Sequence, residues 1–307
     1  MSSAINPVPE MVIMQNYNYC LCVSGNLGYI VLQQLCVKGI KIVSVLTDSH
    51  SKGIIEYCEQ QSLKYFNGNP RDLKASKWMD NQQITFDYLL SVNYLFIIEK
   101  DILNRAKMAI NFHGSLLPKY RGRTPHVWAI INGEKECGIT AHLMNDICDD
   151  GDIVKQLHIQ IEEEDTGGII LTKYNEMYPV LIEEIIVMLE TGNISASRQD
   201  ITKATYYGKR TPEDGGINWE WQKERIHNWV RAQARPYPGA FSHINDIKIT
   251  IHKISYSDYG YIDTTPNGSV LAVINGKPII KTQNGAIVLE DFEYKDLINE
   301  GQVLKTK

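Results

Sequence analysis

The opening of the chain limits its fold more than any other stretch. Tyr19 to Val23 is a short apolar run, Ser24-Gly-Asn-Leu-Gly28 a glycine turn, Tyr29 to Val37 has helical periodicity, and Lys41-Ile-Val-Ser-Val-Leu46 is apolar again. Gly39 stands where a helix C-terminus favours a left-handed residue. Strand, turn, helix and strand in that order force a parallel pair with a right-handed crossover, and hence an α/β sheet covered on both faces. In an open sheet of this kind, chemistry collects at the carboxyl ends of the strands.

The glycine turn lacks the full dinucleotide fingerprint, and only Asp48 stands near the end of the second strand as an acidic residue. It reads instead as a tight turn facing an amino or phosphate group, with Asn26 as a substrate contact. Farther on, Ile54 to Gln61 reads as a helix, Lys64-Tyr-Phe66 as a short strand and Asp87 to Val92 as a buried strand. Phe96-Ile97-Ile98 follows that strand, and Lys100 to Ala106 reads as a helix.

The stretch Met108 to Asp152 carries the chemistry. Met108-Ala-Ile110 is strand-like, and Asn111 and His113 follow two residues apart, so their side chains leave an extended segment on the same side. Gly114 and Pro118 stop the strand, a polar loop follows, and Val127 to Ile131 reads as a helix. Gly138 to Met144 is another strand, leading into the acidic turn Asp149-Asp-Gly-Asp152. A carboxylate from that turn placed beside His113 would fix its tautomer and suit it to proton transfer near neutral pH. Asn111 would then offer a neutral donor to a developing oxyanion. By spacing alone, Asn-x-His fits a turn cap as well as a catalytic pair, and the aspartates fit a solvated loop.

Asn111-Phe-His-Gly-Ser-Leu-Leu-Pro118, the loop Tyr120-Arg-Gly-Arg123, and Asp149-Asp-Gly151 placed 36 residues beyond the histidine together resemble the formyltetrahydrofolate-dependent formyltransferases. The resemblance implies a Rossmann-like catalytic domain and 10-formyltetrahydrofolate as cosubstrate. It also implies Asn111, His113 and Asp149 as the catalytic trio, with no metal. It further implies that the folate pterin lies against Phe96, Ile97, Ile98, Arg123 and the segment Asn145, Asp146, Ile147 and Cys148.

At 307 residues the chain exceeds one compact domain, so two are expected. The reading is a tail or peripheral strand over 1–18, a catalytic domain over 19–200, a linker over 201–214 and a second domain over 215–307. After Asp152, Ile153 to Ile161 reads as a strand. Asp165-Thr166 can cap a long helix with apolar positions from Ile170 to Met188, kinked by Pro179. Gln222 to Gln233 is a second helix and Arg235 to Phe241 an irregular connector. Beyond Ser242, Lys248 to His252, Ser269 to Ile274, Pro278 to Thr282 and Ala286 to Phe292 alternate between glycine and asparagine turns. Such strands suggest a small barrel of the oligonucleotide-binding type, here without a concentrated basic face.

Composition limits the partners. With 43% hydrophobic and 22% charged residues, the sequence is that of an ordinary globular protein. A net charge of −5 argues against a nucleic-acid backbone as partner. Apolar runs fall short of the roughly 18 residues that span a bilayer, and the N-terminus lacks the pattern of a signal peptide, so a cytoplasmic location is expected. Six cysteines show neither a disulfide framework nor a zinc spacing.

Tyr207-Gly-Lys-Arg-Thr-Pro-Glu-Asp214, Asn218-Trp219, Val230-Arg-Ala232 and Pro236-Tyr-Pro-Gly-Ala-Phe241 look closest to the sugar N-formyltransferases, including the formyltransferase domain of bifunctional polymyxin-resistance enzymes. That likeness implies a UDP- or dTDP-linked amino-deoxysugar formylated at its 4-amino group for surface-glycan synthesis, Lys209 and Arg210 on the diphosphate, and a homodimer. Methionyl-tRNA formyltransferase is the main alternative. Its basic, glycine-rich insertion after the second strand is missing, since Leu46 to Gly53 runs straight into the next helix. A non-catalytic folate- or nucleotide-binding module is the second alternative, and it would be favoured by loss of the amide, imidazole or carboxylate.

Overall fold

The computed structural model describes residues 17–306; the expectation of a tail or peripheral strand falls almost wholly outside them. The chain opens with β1 (Tyr19–Val23), α1 (Gly25–Val37), β2 (Ile42–Thr47), α2 (Lys52–Gln60), β3 (Tyr65–Asn67), α3 (Lys74–Asn81), β4 (Tyr88–Val92), α4 (Lys100–Leu103) and β5 (Met108–His113). It continues with β6 (Arg121–Gly122), α5 (Pro125–Ile131), β7 (Glu136–Leu143), β8 (Ile153–Gln160), α6 (Gly167–Glu190), β9 (Tyr206–Tyr207) and α7 (Lys223–Ala232). Five strands complete it: β10 (Ala240–Ile244), β11 (Ile247–Ser257), β12 (Val270–Ile274), β13 (Lys277–Thr282) and β14 (Gly285–Glu293).

A seven-stranded sheet runs in the order β3-β2-β1-β4-β5-β7-β8. The first five of these strands are parallel to their neighbours, and β7 turns antiparallel against β5. Every residue of β1 and β4 is buried, as expected for central strands covered on both faces. The strand order reverses between β1 and β4, which makes the ends of β1, β4 and β5 the natural place for a ligand crevice. This is a Rossmann-like, parallel-rich α/β fold, followed by a small C-terminal antiparallel barrel.

That C-terminal sheet has the order β10-β11-β14-β13-β12 and encloses a core of Ile217, Trp219, Ile226, Val230, Ile251, Ile280 and Leu289, among others. The chain end bridges both edges, His243 with Lys305 beside β10 and Ser269 with Val303 beside β12. Covering both edges with one short segment removes the free ladder groups that an open sheet would expose. By contacts, the chain divides into two compact units. Of the described residues, one unit holds 17–113 with Thr140–Gln156 and Met177–Gln199; the other holds Gly114–Ile139, Leu157–Glu176 and 200–306.

Several local expectations are revised. The segment Ser24 to Gly28 is not a free tight turn, because α1 already begins at Gly25. Gly28 is needed for packing: a Cβ there would lie 2.9 Å from that of Val23. The first helical N–H, on Gly25, donates to Ser51 Oγ at 2.8 Å, and Ser51 Oγ donates to Asp48 at 2.6 Å, so the chain's own carboxylate already serves this helix start. Burial, the largest single influence, raises the Asp48 carboxyl, but hydrogen bonds from Ser51 and the His50 backbone N–H, among others, outweigh it and hold it below its ordinary range. The helix expected to reach Ala106 stops at Leu103, and the connector ending at Phe241 passes into β10.

Candidate active site

Asn111 and His113 lie within β5 rather than beyond its end. The antiparallel register sets Asn111 opposite His142 and His113 opposite Thr140. After β7 the chain turns back through Asp149, whose φ is +58°, to β8. Gly151 is required here, since a Cβ would fall 1.7 Å from the Leu143 carbonyl oxygen. Gln199 Nε2 donates to the carbonyls of Asp149 at 2.9 Å and Gly151 at 2.7 Å and so fixes the turn.

The turn brings Asp149 Oδ1 to 3.4 Å from His113 Nδ1 and 3.8 Å from His142 Nε2. All three side chains are nearly closed to solvent, with His113 8%, Asp149 6% and His142 3% exposed. A carboxylate this buried needs a hydrogen-bonding partner, and the His113 imidazole is placed to supply one. His142 Nδ1 faces the Leu143 carbonyl at 2.9 Å. That carbonyl can only accept, so Nδ1 carries the proton and Nε2 accepts from Asn111 Nδ2 at 3.1 Å. One N–H of the Asn111 amide is thereby oriented, leaving the other to point elsewhere. Tyr178 stands by the same carboxylate; burial first, and then Asp149, push its hydroxyl well above the ordinary range, so it stays neutral.

The sequence drew attention to Asn111, His113 and Asp149 but not to His142 or Gln199. His142 had a weak signal, a polar side chain among the inward positions of the strand Gly138 to Met144. Gln199 had none, since it lies 50 residues beyond Asp149 in irregular backbone.

Phe96, Ile97 and Ile98 fall in the same compact unit as the trio, with Ile98 buried and Ile97 61% exposed. Asn145, Asp146, Ile147 and Cys148 are exposed in the turn. The Asn145 side chain accepts from Ile147 N at 2.9 Å and Asp146 pairs with Lys100 at 2.6 Å, which gives this loop a fixed course. Asn26 is exposed in the first turn of α1. Arg123, Lys209 and Arg210 belong to the other unit. Arg123 is exposed, and its backbone N–H donates to the Tyr207 carbonyl at 3.0 Å. Lys209 is exposed. Arg210 is held between two indoles, 5.0 Å from the Trp128 ring and 4.5 Å from Trp229, and its Nη2 donates to Asp214 O and Gln233 Oε1. Among the described residues, no group of three or more His, Cys, Asp or Glu is placed to hold a metal.

A donor amide, an imidazole and a carboxylate at the strand ends of a parallel-rich sheet, with a small barrel behind them in the chain, define a one-carbon transferase of the formyltransferase class. The chain belongs to the formyl transferase family: the family model described as formyl transferase matches residues 25–185, and the one described as formyl transferase, C-terminal domain, matches residues 209–304. Among curated relatives, the bifunctional polymyxin resistance protein ArnA of Wigglesworthia glossinidia brevipalpis is 36% identical over 266 residues, 83% of this chain. The match takes up only 39% of that longer relative. Among solved structures, the sugar 3N-formyl transferase WlaRD, crystallised with dTDP and 5-N-formyl-THF, superposes with a TM-score of 0.69 at 22% identity, over 88% of this chain and 96% of its own. An N-formyltransferase from Helicobacter canadensis, complexed with folinic acid and dTDP-3-aminofucose, gives 0.69 at 19% identity over 88% and 98%. HypX from Aquifex aeolicus with tetrahydrofolic acid gives 0.60 at 18% identity over 91% and 44%. At these identities the structures speak for the fold.

Proposed function

We propose that this protein moves the formyl group of 10-formyltetrahydrofolate to the amino group of a UDP- or dTDP-linked amino-deoxysugar, at its 4-amino position, for surface-glycan synthesis. The observation that carries the chemistry is the buried pair of His113 and Asp149 with Asn111 two residues up the same strand. The acceptor class rests on the 36% identical relative and on the short link of residues 48–51 between β2 and α2, which leaves no room for a basic insertion.

The acceptor's neutral amine attacks the formyl carbon. Asn111 Nδ2–H and the protonated His113 stabilise the oxyanion, and Asp149 sustains the imidazolium. The C–N bond to the sugar forms, the C–N10 bond of the folate breaks, and the proton lost by the amine passes by way of His113 to N10. His142 orients the Asn111 amide. Phe96, Ile97, Ile98, Arg123 and Asn145 to Cys148 are the proposed folate contacts, with Asn26 and Lys209 toward the acceptor. The proposal keeps a catalytic domain over 19–200, a linker over 201–214 and a barrel domain over 215–307, in a cytoplasmic homodimer. Among the described residues, no helix is long and apolar enough to cross a membrane.

The test is to incubate the protein with 10-formyltetrahydrofolate and a panel of UDP- and dTDP-linked 3-amino and 4-amino sugars, plus methionyl-tRNA, and to follow product mass. One formyl group gained by a sugar nucleotide supports the reading, and the substrate that gains it fixes the amino position. Formylation of the tRNA alone overturns the acceptor, and turnover of none favours a binding module.

A further inference from the structure

The helix α6 carries two buried tyrosines one turn apart, Tyr174 and Tyr178. In the sequence Tyr174 reads as one more member of an apolar stripe. In the structure its hydroxyl, on a side chain only 2% exposed, lies 2.8 Å from the carbonyl oxygen of Gly114 and 3.0 Å from that of Gly138. Gly114 follows His113 directly in the chain. The β5–β7 ladder ends at the pair His113 and Thr140, and Gly138 lies two residues before Thr140 on the facing strand. The Tyr174 hydroxyl therefore joins the two backbones just where the ladder stops, donating to two buried carbonyls. The ring is fixed in turn: His126 stands edge-on to it at 5.6 Å, and its Nε2 is hydrogen-bonded with the Tyr237 hydroxyl at 2.7 Å.

We infer that Tyr174 is a positioning residue for formyl transfer, holding the backbone at Gly114, the residue after His113, so that the imidazole keeps its Nδ1 toward Asp149. The inference rests on the catalytic reading above. One turn along the same helix, Tyr178 stands by the Asp149 carboxylate. A strand end fixed only by its last ladder pair would fray and let the ring swing; a 3.4 Å contact leaves little margin before the interaction is lost.

Tyr174→Phe removes one hydroxyl and keeps the ring. Two readouts are compared in wild type, Tyr174→Phe and the control Leu181→Ala, which empties a fully buried position on the same helix. The first is steady-state kinetics with 10-formyltetrahydrofolate and the sugar nucleotide. The second is the nitrogen-15 and proton NMR signal of the His113 Nδ1–H, which requires no turnover. Tyr174→Phe is expected to lower kcat by about tenfold with KM for both substrates within about twofold. It should also move the Nδ1–H signal upfield or broaden it through exchange with water. Leu181→Ala should lower the melting temperature further and leave the His113 signal in place. An unchanged His113 signal in Tyr174→Phe, or the same displacement in Leu181→Ala, overturns the inference. If the wild type formylates no sugar nucleotide, the functional reading falls while the His113 signal still decides whether Tyr174 holds the ring.

Discussion

At the scale of single residues, the site depends on burial as much as on residue identity. Asp149 and His113 are both almost inaccessible, so replacing either removes a buried partner that faces the other at 3.4 Å. His113→Asn and Asp149→Asn are each expected to reduce kcat/KM for formyl transfer by about 10²- to 10⁴-fold, the usual share of positioned proton transfer. Thermal denaturation of both variants should show a folded protein. Near wild-type turnover in either would remove that residue from the mechanism. His126 supplies a different, purely structural, effect. Burial pulls its imidazole down to about 4 from the ordinary 6.5, so the folded state prefers it neutral. The unfolded chain takes up a proton between those two values and the folded one does not, so this contribution is present in full above pH 6.5 and is lost as pH falls toward about 4. The loss is at most about 3 kcal/mol. Melting temperatures measured from pH 7 to 4 should fall more steeply for wild type than for His126→Gln; parallel curves would place the acid sensitivity elsewhere.

At the scale of elements, the aromatic contacts around Arg210 separate two roles that adjacent basic residues could share. Tyr120 stacks on Tyr207 at 5.1 Å, Tyr207 meets Trp128 at 4.7 Å, and Arg210 closes the column between Trp128 and Trp229. A lysine cannot reproduce the planar stacking of a guanidinium between two indoles or its paired N–H geometry. Arg210→Lys should therefore destabilise the protein by about 1–2 kcal/mol in denaturant titration, the scale of a desolvated cation–π contact. Lys209→Ala should leave stability alone and raise KM for the sugar nucleotide, which isothermal titration with UDP and dTDP can check. The reverse outcome would make Arg210 the phosphate ligand and Lys209 a bystander.

At the scale of the molecule, charge and chain layout set the choice of partner. The net charge of −5 leaves no basic surplus to exchange for condensed counterions. Filter binding of methionyl-tRNA at about 0.1 M salt should thus show no retention, while KM for a sugar nucleotide should change only modestly with added salt. Retention with a steep salt slope would point back to a tRNA acceptor. The sequence by itself determined the βαβ opening, the strand carrying Asn111 and His113, and the acidic turn carrying Asp149, because hydrophobic period and turn residues are local properties of the chain. It also marked the alternating strands of the C-terminal barrel, though it missed α3 and took the start of β10 for a connector, where short elements carry too few residues to show a period. Only the tertiary structure decided that His142 faces the Asn111 amide, that Gln199 pins the turn from 50 residues away, that Arg210 lies between two indoles and that Tyr174 ties off the ladder. Each of those depends on side chains meeting across strands, loops and helices distant in sequence, where geometry is set by packing and leaves no periodic trace in the order of residues.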